Sequence, residues 1–142
     1  MNKLVEIKGV TVNFYTYEGV VQALNSLDLD IYQGETLGLV GETGCGKTMA
    51  ALSILRLIIP PGKIESGKIN YCTIDGKNID LLMLTENEIR DIRGSQISMV
   101  FQEPSAALNP VYTVGDQITE AILLHRKTEL AHNAQAKVDK LI

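Results

Sequence analysis

The chain has 142 residues, of which 45% are hydrophobic and 21% charged, with a formal net charge of −4. This composition fits one globular domain rather than a disordered chain, and the scattered basic residues give no electrostatic basis for nucleic-acid binding. The longest apolar stretch, Met49–Ile59, contains Arg56 and is about half the ~20 residues that cross a bilayer.

Strand-like patterns dominate the chain up to residue 41. Leu4–Phe14 and Leu27–Ile31 alternate between apolar and polar residues, which predicts strands with one buried face. A turn at 32–35 then leads to Thr36–Gly41, a nearly continuous apolar run. Such a run is typical of a strand buried on both faces of a parallel sheet. The first ten residues lack the apolar block of a signal peptide, so we expect a cytosolic chain.

A helix and a hairpin are predicted next. Residues 47–58 have a helical composition and are followed by Pro60, which cannot continue a helix. Further on, Asp75 and Gly76 stand between two β-type runs. The Asp-Gly pair is a strong signal for a tight β-hairpin.

Three helix starts and one more strand complete the pattern. Thr85 followed by Glu88 predicts a capping box that opens a short helix. Gln96–Gln102 has strand-like composition, and Thr113 and Thr128 are candidate N-caps of two final helices. We therefore predict strands before residue 41 and α/β units after it.

The segment "GETGCGKT" lies between the predicted strand and the predicted helix. Its pattern, Gly41-x-x-x-x-Gly46-Lys47-Thr48, is that of a P-loop. Glycines let the backbone N–H groups turn toward phosphate oxygens, and the helix N-terminus adds donors and partial positive charge. Lys47 would bridge the β- and γ-phosphates, and the Thr48 hydroxyl would coordinate Mg²⁺. The candidate nucleotide-binding residues here are Gly41, Glu42, Thr43, Gly44, Cys45, Gly46, Lys47, Thr48 and Met49.

The position of the loop narrows the class of P-loop protein. Small GTPases and nucleotide kinases usually place the loop after their first strand, whereas here about 40 mostly strand-like residues precede it. No Asn-Lys-x-Asp guanine-binding motif occurs in the sequence. A kinase is a weaker alternative, because the sequence offers no phosphoryl acceptor and no basic lid. We therefore expect a nucleotide domain with an added β-subdomain ahead of the loop.

Two longer stretches resemble one family. Residues 27–48, "LDLDIYQGETLGLVGETGCGKT", are similar to the start of an ATP-binding cassette (ABC) transporter ATPase. Ile92–Ile118, "IRGSQISMVFQEPSAALNPVYTVGDQI", resembles the Q-loop region of the oligopeptide/dipeptide importer branch, which also includes nickel importers. The resemblance runs from about Leu4 to Ile118. It implies an α/β fold, with a P-loop NTPase core of the ABC type and an N-terminal antiparallel β-subdomain. Residues 1–142 would be the N-terminal part of a single nucleotide-binding domain.

The resemblance also implies roles for residues outside the loop. Gln102 would be the Q-loop glutamine, which reaches the Mg²⁺ and the attacking water. The segment of about 103–112 would face the coupling helix of a membrane permease. Phe14 occupies the place of the adenine-stacking aromatic, although Tyr15 or Tyr17 could serve instead. The alternative is that Phe14 is simply an inward-facing strand residue.

The ligands and partners implied by the resemblance are ATP with Mg²⁺, a second ATPase subunit in a head-to-tail dimer, and transmembrane permease subunits. Lys47 and Gln102 would be the catalytic residues of this chain. Thr48 and Gln102 would contact the Mg²⁺ that arrives with the nucleotide. The chain would lie at the cytoplasmic face of the plasma (inner) membrane as a peripheral subunit.

Several parts of such an ATPase are missing from the sequence. We find no Leu-Ser-Gly-Gly-Gln signature, no Walker B strand ending in Asp and Glu, and no switch histidine. We therefore expect the N-terminal portion of a peptide-importer ATPase, truncated before the signature and Walker B. Phosphoryl transfer needs a positioned nucleophile and charges aimed at the γ-phosphate, so binding of MgATP with little or no hydrolysis is expected. A non-catalytic nucleotide-binding or docking fragment is the alternative, and the transported substrate stays open between peptides and nickel.

Overall fold

A computed structural model describes residues 2–102 and 108–125. The chain divides into two compact units, residues 1–90 and 91–142. The first unit contains a four-stranded antiparallel sheet in the order β2-β1-β3-β4. None of the helices in the described ranges is long and apolar enough to cross a membrane. The elements are β1 (Lys3–Thr16), β2 (Gly19–Tyr32), α1 (Lys47–Ile54), β3 (Gly62–Cys72), β4 (Asn78–Asp80), α2 (Glu86–Ile92) and α3 (Val114–His125).

Strands β1 and β2 form a long hairpin, and both extend beyond the predicted segments. One face of β1 supplies Val5, Ile7, Val10 and Val12 to the core, where all four are buried. Burial of each such side chain contributes about 1.5–3 kcal/mol. The opposite face is polar, because the alternation of the sequence places charged residues there. The predicted antiparallel β-subdomain is therefore confirmed.

The register between β1 and β2 shifts at four points, and the shift nearest the turn of the hairpin lies between Val12 and Asn13. Val12 pairs with Leu24, whereas the next residue of β1, Asn13, pairs with Gln22. Ala23 is thus an extra residue of β2, which is the definition of a β-bulge. Because β2 is an edge strand, this bulge lies where another part of the chain can approach the sheet.

The predicted hairpin at Asp75 and Gly76 is also confirmed. The backbone N–H of Thr73 donates to the carbonyl of Lys77 at 2.8 Å, and the N–H of Gly76 donates to Thr73 at 2.8 Å. Gly76 has a φ of 76°, which favours glycine. The turn joins β3 to β4. These two strands pair antiparallel, from Asn70 with Asp80 to Cys72 with Asn78 next to the turn.

Helix α1 is shorter than predicted. It ends at Ile54, and Arg56 takes a φ of 52° rather than continuing the helix to residue 58. The guanidinium of Arg56 donates to the carbonyl oxygens of Leu84 at 2.6 Å and Leu81 at 3.4 Å. These bonds are made to residues far along the chain, so helical composition alone does not reveal the early end.

The predicted helix caps lie where expected within the described ranges. The N–H of Thr85 donates to the Glu88 carboxylate at 2.8 Å, and the N–H of Glu88 donates to the Thr85 hydroxyl at 3.4 Å. The hydroxyl of Thr113 accepts from the N–H of Asp116 at 3.1 Å at the start of α3. The helix predicted after Thr128 lies outside the described residues.

Two predicted strands are wrong. Thr36–Gly41 forms no strand, and Val40 is 99% exposed. In Gln96–Gln102 a single bridge joins Ile97 to Arg93, and Val100 is 96% exposed. A strand requires a neighbour that takes up its N–H and C=O groups, and the described residues provide neither segment with a ladder partner. Several of their apolar side chains, Val40 and Val100 among them, therefore remain on the surface.

Candidate nucleotide-binding site

The phosphate loop ends at the first residue of α1. Gly46 is the N-cap of this helix and has a left-handed conformation, with φ 92° and ψ −1°. Its carbonyl accepts the N–H of Ala50 at 2.9 Å, and the N–H of Cys45 donates to Glu42 at 3.3 Å. The first N–H groups of a helix have no partner within the helix, and the helix dipole makes this end partly positive. The geometry therefore offers anion-binding donors directly behind the loop.

The ammonium group of Lys47 lies across the loop. Its Nζ donates to the carbonyl oxygens of Gly41 at 2.6 Å and Glu42 at 2.7 Å, and to the Sγ of Cys45 at 3.1 Å. An ammonium has three N–H donors, so all three are used within the loop. The hydrogen bond from Lys47 lowers the pKa of the Cys45 thiol. A phosphate oxygen is charged and would be a stronger acceptor than these carbonyls.

The outer side of the loop has room for a phosphate chain. Glu42, Thr43 and Thr48 are exposed. Gly44 has a φ of 86°, and a Cβ added there would meet nothing within 4 Å. Thr48 lies in the first turn of α1. The residues present therefore fit a nucleotide phosphate chain with its Mg²⁺.

The inner side of the loop rests on β2. A Cβ at position 46 would lie 2.8 Å from the carbonyl oxygen of Ala23 and 2.9 Å from the Cδ2 of Leu24. Only glycine fits this space, which gives a second reason for Gly46 besides its backbone conformation. Ala23 and Leu24 carry no sequence signal for this role, because the bulge that presents them depends on the register of two strands.

The aromatic candidates for base stacking have different surroundings. Phe14 is half-buried and pairs with Gly62 of β3. A Cβ added at position 62 would lie 2.7 Å from the Cε1 of the Phe14 ring. This close packing agrees with the alternative prediction that Phe14 is an inward-facing strand residue. The hydroxyl of Tyr15 donates to Glu65 at 2.8 Å, whereas Tyr17 is fully exposed. A stacking role for any of the three stays a prediction.

The structure brings Gly41, Glu42, Cys45 and Lys47 into one hydrogen-bonded cluster in the first unit. Gln102 belongs to the second unit and is exposed, so its predicted role stays a prediction. The same holds for the predicted permease-facing segment. Its residues 103–107 lie outside the described structure, and its described end includes the exposed Val111 and Tyr112.

A P-loop at the N-terminus of a helix, supported by an antiparallel sheet, defines a nucleotide-binding protein of the P-loop class. The comparison with protein families identifies the family within this class. The sequence profile of the ABC transporter family matches residues 24–142, and the chain belongs to this family.

Curated relatives agree with this assignment. The dipeptide transport ATP-binding protein DppD of Bacillus subtilis is 46% identical over 128 residues, which cover 89% of this chain and 37% of DppD. The oligopeptide transport ATP-binding protein AppD of the same organism is 38% identical over 141 residues, which cover 99% of this chain and 42% of AppD. The chain thus spans about two fifths of the length of these relatives.

Solved structures confirm the predicted fold class. A dimeric structure of the ATP-binding cassette MJ0796, in a post-hydrolysis state bound to ADP and Pi, matches with a TM-score of 0.76 and 25% identity. The match covers 96% of this chain and 55% of that one. A second dimeric structure of MJ0796 matches with a TM-score of 0.75 and 26% identity, and covers 94% of this chain and 53% of that one.

Proposed function

We propose that Gly41–Thr48 binds MgATP, and that this site serves an ATP-binding subunit that powers peptide import through an ABC transporter. The observation that carries the first part is the position of the Lys47 ammonium across the loop, at the N-terminus of α1. The names of DppD and AppD support the second part, since both are described as peptide transport ATP-binding proteins.

The loop residues would divide the work of holding the nucleotide. Backbone N–H groups around Gly44 and Gly46 would bind phosphate oxygens, and Lys47 would exchange its neutral acceptors for charged ones. The Thr48 hydroxyl would coordinate Mg²⁺, which neutralises charge on the phosphates. Phe14, or the more exposed Tyr17, would stack on adenine through its ring face.

The remaining roles belong to the whole transporter. Gln102 would contact the Mg²⁺ and the attacking water, and the segment of about 103–112 would dock on the permease. A second ATPase subunit would close the site from the opposite side, as the dimeric state of the MJ0796 cassette suggests. We place the assembled subunits at the cytoplasmic face of the membrane, where ATP is available.

Calorimetric titration with MgATP tests the nucleotide site. We compare the unmodified chain with Lys47→Ala and with Lys77→Ala, which removes one exposed lysine in the β3–β4 hairpin. Loss of a charge-assisted hydrogen bond costs about 1.5–3 kcal/mol, so Lys47→Ala should bind roughly ten- to a hundredfold more weakly. Lys77→Ala should bind like the unmodified chain.

Phosphate release followed on the same samples separates binding from hydrolysis. Binding without phosphate release supports a nucleotide-binding portion that needs further parts for turnover. Lys47-dependent release would show that these residues contain a complete ATPase. Absence of binding, or equal binding by Lys47→Ala, would contradict the proposed site.

A further inference from the structure

The bulge of β2 and the phosphate loop meet at one point. Ala23 is the extra residue of the bulge, and its carbonyl oxygen faces the Cβ position of Gly46 at 2.8 Å. Leu24 follows it and places Cδ2 at 2.9 Å from the same position. Bulges often occur beside active sites, where they redirect the chain. This bulge brings an edge strand against the residue at which the loop becomes helix α1.

The contact is fixed on both sides. Leu24 is 7% exposed and pairs with Val12, which is fully buried in β1. On the other side, the carbonyl of Gly46 accepts from Ala50, a buried residue of α1. A continuous path of packed atoms therefore runs from the core of the sheet through Gly46 into the helix. Such close-packed contacts resist displacement, because a shift in either direction creates a clash or a void.

We propose that Leu24, together with the bulged Ala23, is a positioning residue for the phosphate loop. This inference rests on the proposed nucleotide-binding function and adds the residues that set its geometry. Contact with β2 holds Gly46 in its left-handed conformation. The direction of Lys47 and of the first N–H groups of α1 follows from that conformation. Leu24 itself does not touch the nucleotide and acts only through Gly46.

Two variants of Leu24 and one control separate positioning from general stability. Leu24→Ala removes most of the side chain, and Leu24→Val is a milder change that removes the δ-carbons beside Gly46. Val5→Ala is the control, because Val5 is 6% exposed in the same sheet. It lies seven residues from Val12 along β1, about 20 Å away in an extended strand. Urea unfolding then shows which Leu24 variant loses about the same unfolding free energy as Val5→Ala, so that the two can be compared at matched stability.

The probes are MgATP and inorganic tripolyphosphate with Mg²⁺, both measured by calorimetry. Tripolyphosphate lacks a base and can be held only through its phosphates. If the binding groups are misplaced by a fraction of an ångström, the affinity for both probes should fall about tenfold in Leu24→Ala and roughly threefold in Leu24→Val. Val5→Ala should keep both affinities within about twofold, since distant sites are usually independent.

Each outcome decides the inference. Weaker binding of both probes in the Leu24 variants, but not in Val5→Ala, supports positioning. Equal weakening in Val5→Ala at matched stability would reduce Leu24 to a packing residue and overturn the proposal. Weakening confined to MgATP would overturn it too, because the effect would then lie at the base. If the unmodified chain binds neither probe, the proposed function fails first and this inference fails with it.

Discussion

Replacing Gly46 with alanine tests whether the phosphate loop rests on β2 as described. At a φ of 92° an L-residue is strained by about 1–3 kcal/mol. The new Cβ would lie 2.8 Å from the carbonyl oxygen of Ala23, and a backbone atom cannot rotate away as a side chain can. Overpacking of this kind costs about 1–3 kcal/mol more. Gly46→Ala should therefore lose about 2–6 kcal/mol of unfolding free energy.

Gly44→Ala is the matched control for this change. Gly44 has a φ of 86°, but a Cβ there meets nothing within 4 Å, so this variant bears the backbone strain alone. Urea unfolding followed by circular dichroism gives both losses, provided that the m-values agree. We expect Gly46→Ala to be less stable than Gly44→Ala by about 1–3 kcal/mol. Equal losses would refute the argument, because they would mean that Ala23 does not restrict the space at position 46.

Three further predictions concern the sheet and α2. The pKa of Glu6 is lowered from 4.5 to about 2, mainly by the hydrogen bond from Lys3. Ionised Glu6 therefore stabilises the folded state above pH 4.5, and this contribution is lost as the pH falls toward 2. Urea unfolding should therefore show that the unmodified chain and Glu6→Gln differ less in unfolding free energy as the pH is lowered. A difference that does not change with pH would contradict this role of Glu6. Thr85→Ala removes the cap that Glu88 shares and should cost about 1 kcal/mol by the same assay, whereas no change would argue against the capping box. Ile69→Ala empties a fully buried position and should cost about 2–5 kcal/mol, and a loss well under this range would place Ile69 outside the core.

The features that the sequence predicted well depend on local chemistry. The capping box needs only Thr85 and Glu88 three residues apart, and the hairpin turn needs only Asp75 and Gly76. The P-loop pattern likewise combines glycine, lysine and threonine at fixed spacing. The Lys47 ammonium lies across the loop, and its role in binding phosphate stays a prediction. In each case the interacting groups are neighbours in sequence.

The features that the sequence did not reveal depend on partners far along the chain. Thr36–Gly41 has strand composition, but a strand forms only when another strand pairs with it. Just beyond the end of α1, the Arg56 guanidinium bonds to carbonyl groups at residues 81 and 84, which are distant in sequence. The bulge at Ala23 depends on a register shift against β1, which composition and periodicity do not encode. These features depend on tertiary contacts. One of them, the bulge in β2, also supports the phosphate loop.

Amide chemical-shift mapping by NMR tests most directly whether nucleotide binds at Gly41–Thr48. MgATP is added to the isotope-labelled chain, and the shift of each backbone amide is followed with and without Lys47→Ala. We expect the largest shifts between Gly41 and Met49, with their loss in Lys47→Ala. Shifts centred on another surface, or shifts in the loop that persist without the Lys47 ammonium, would contradict the site.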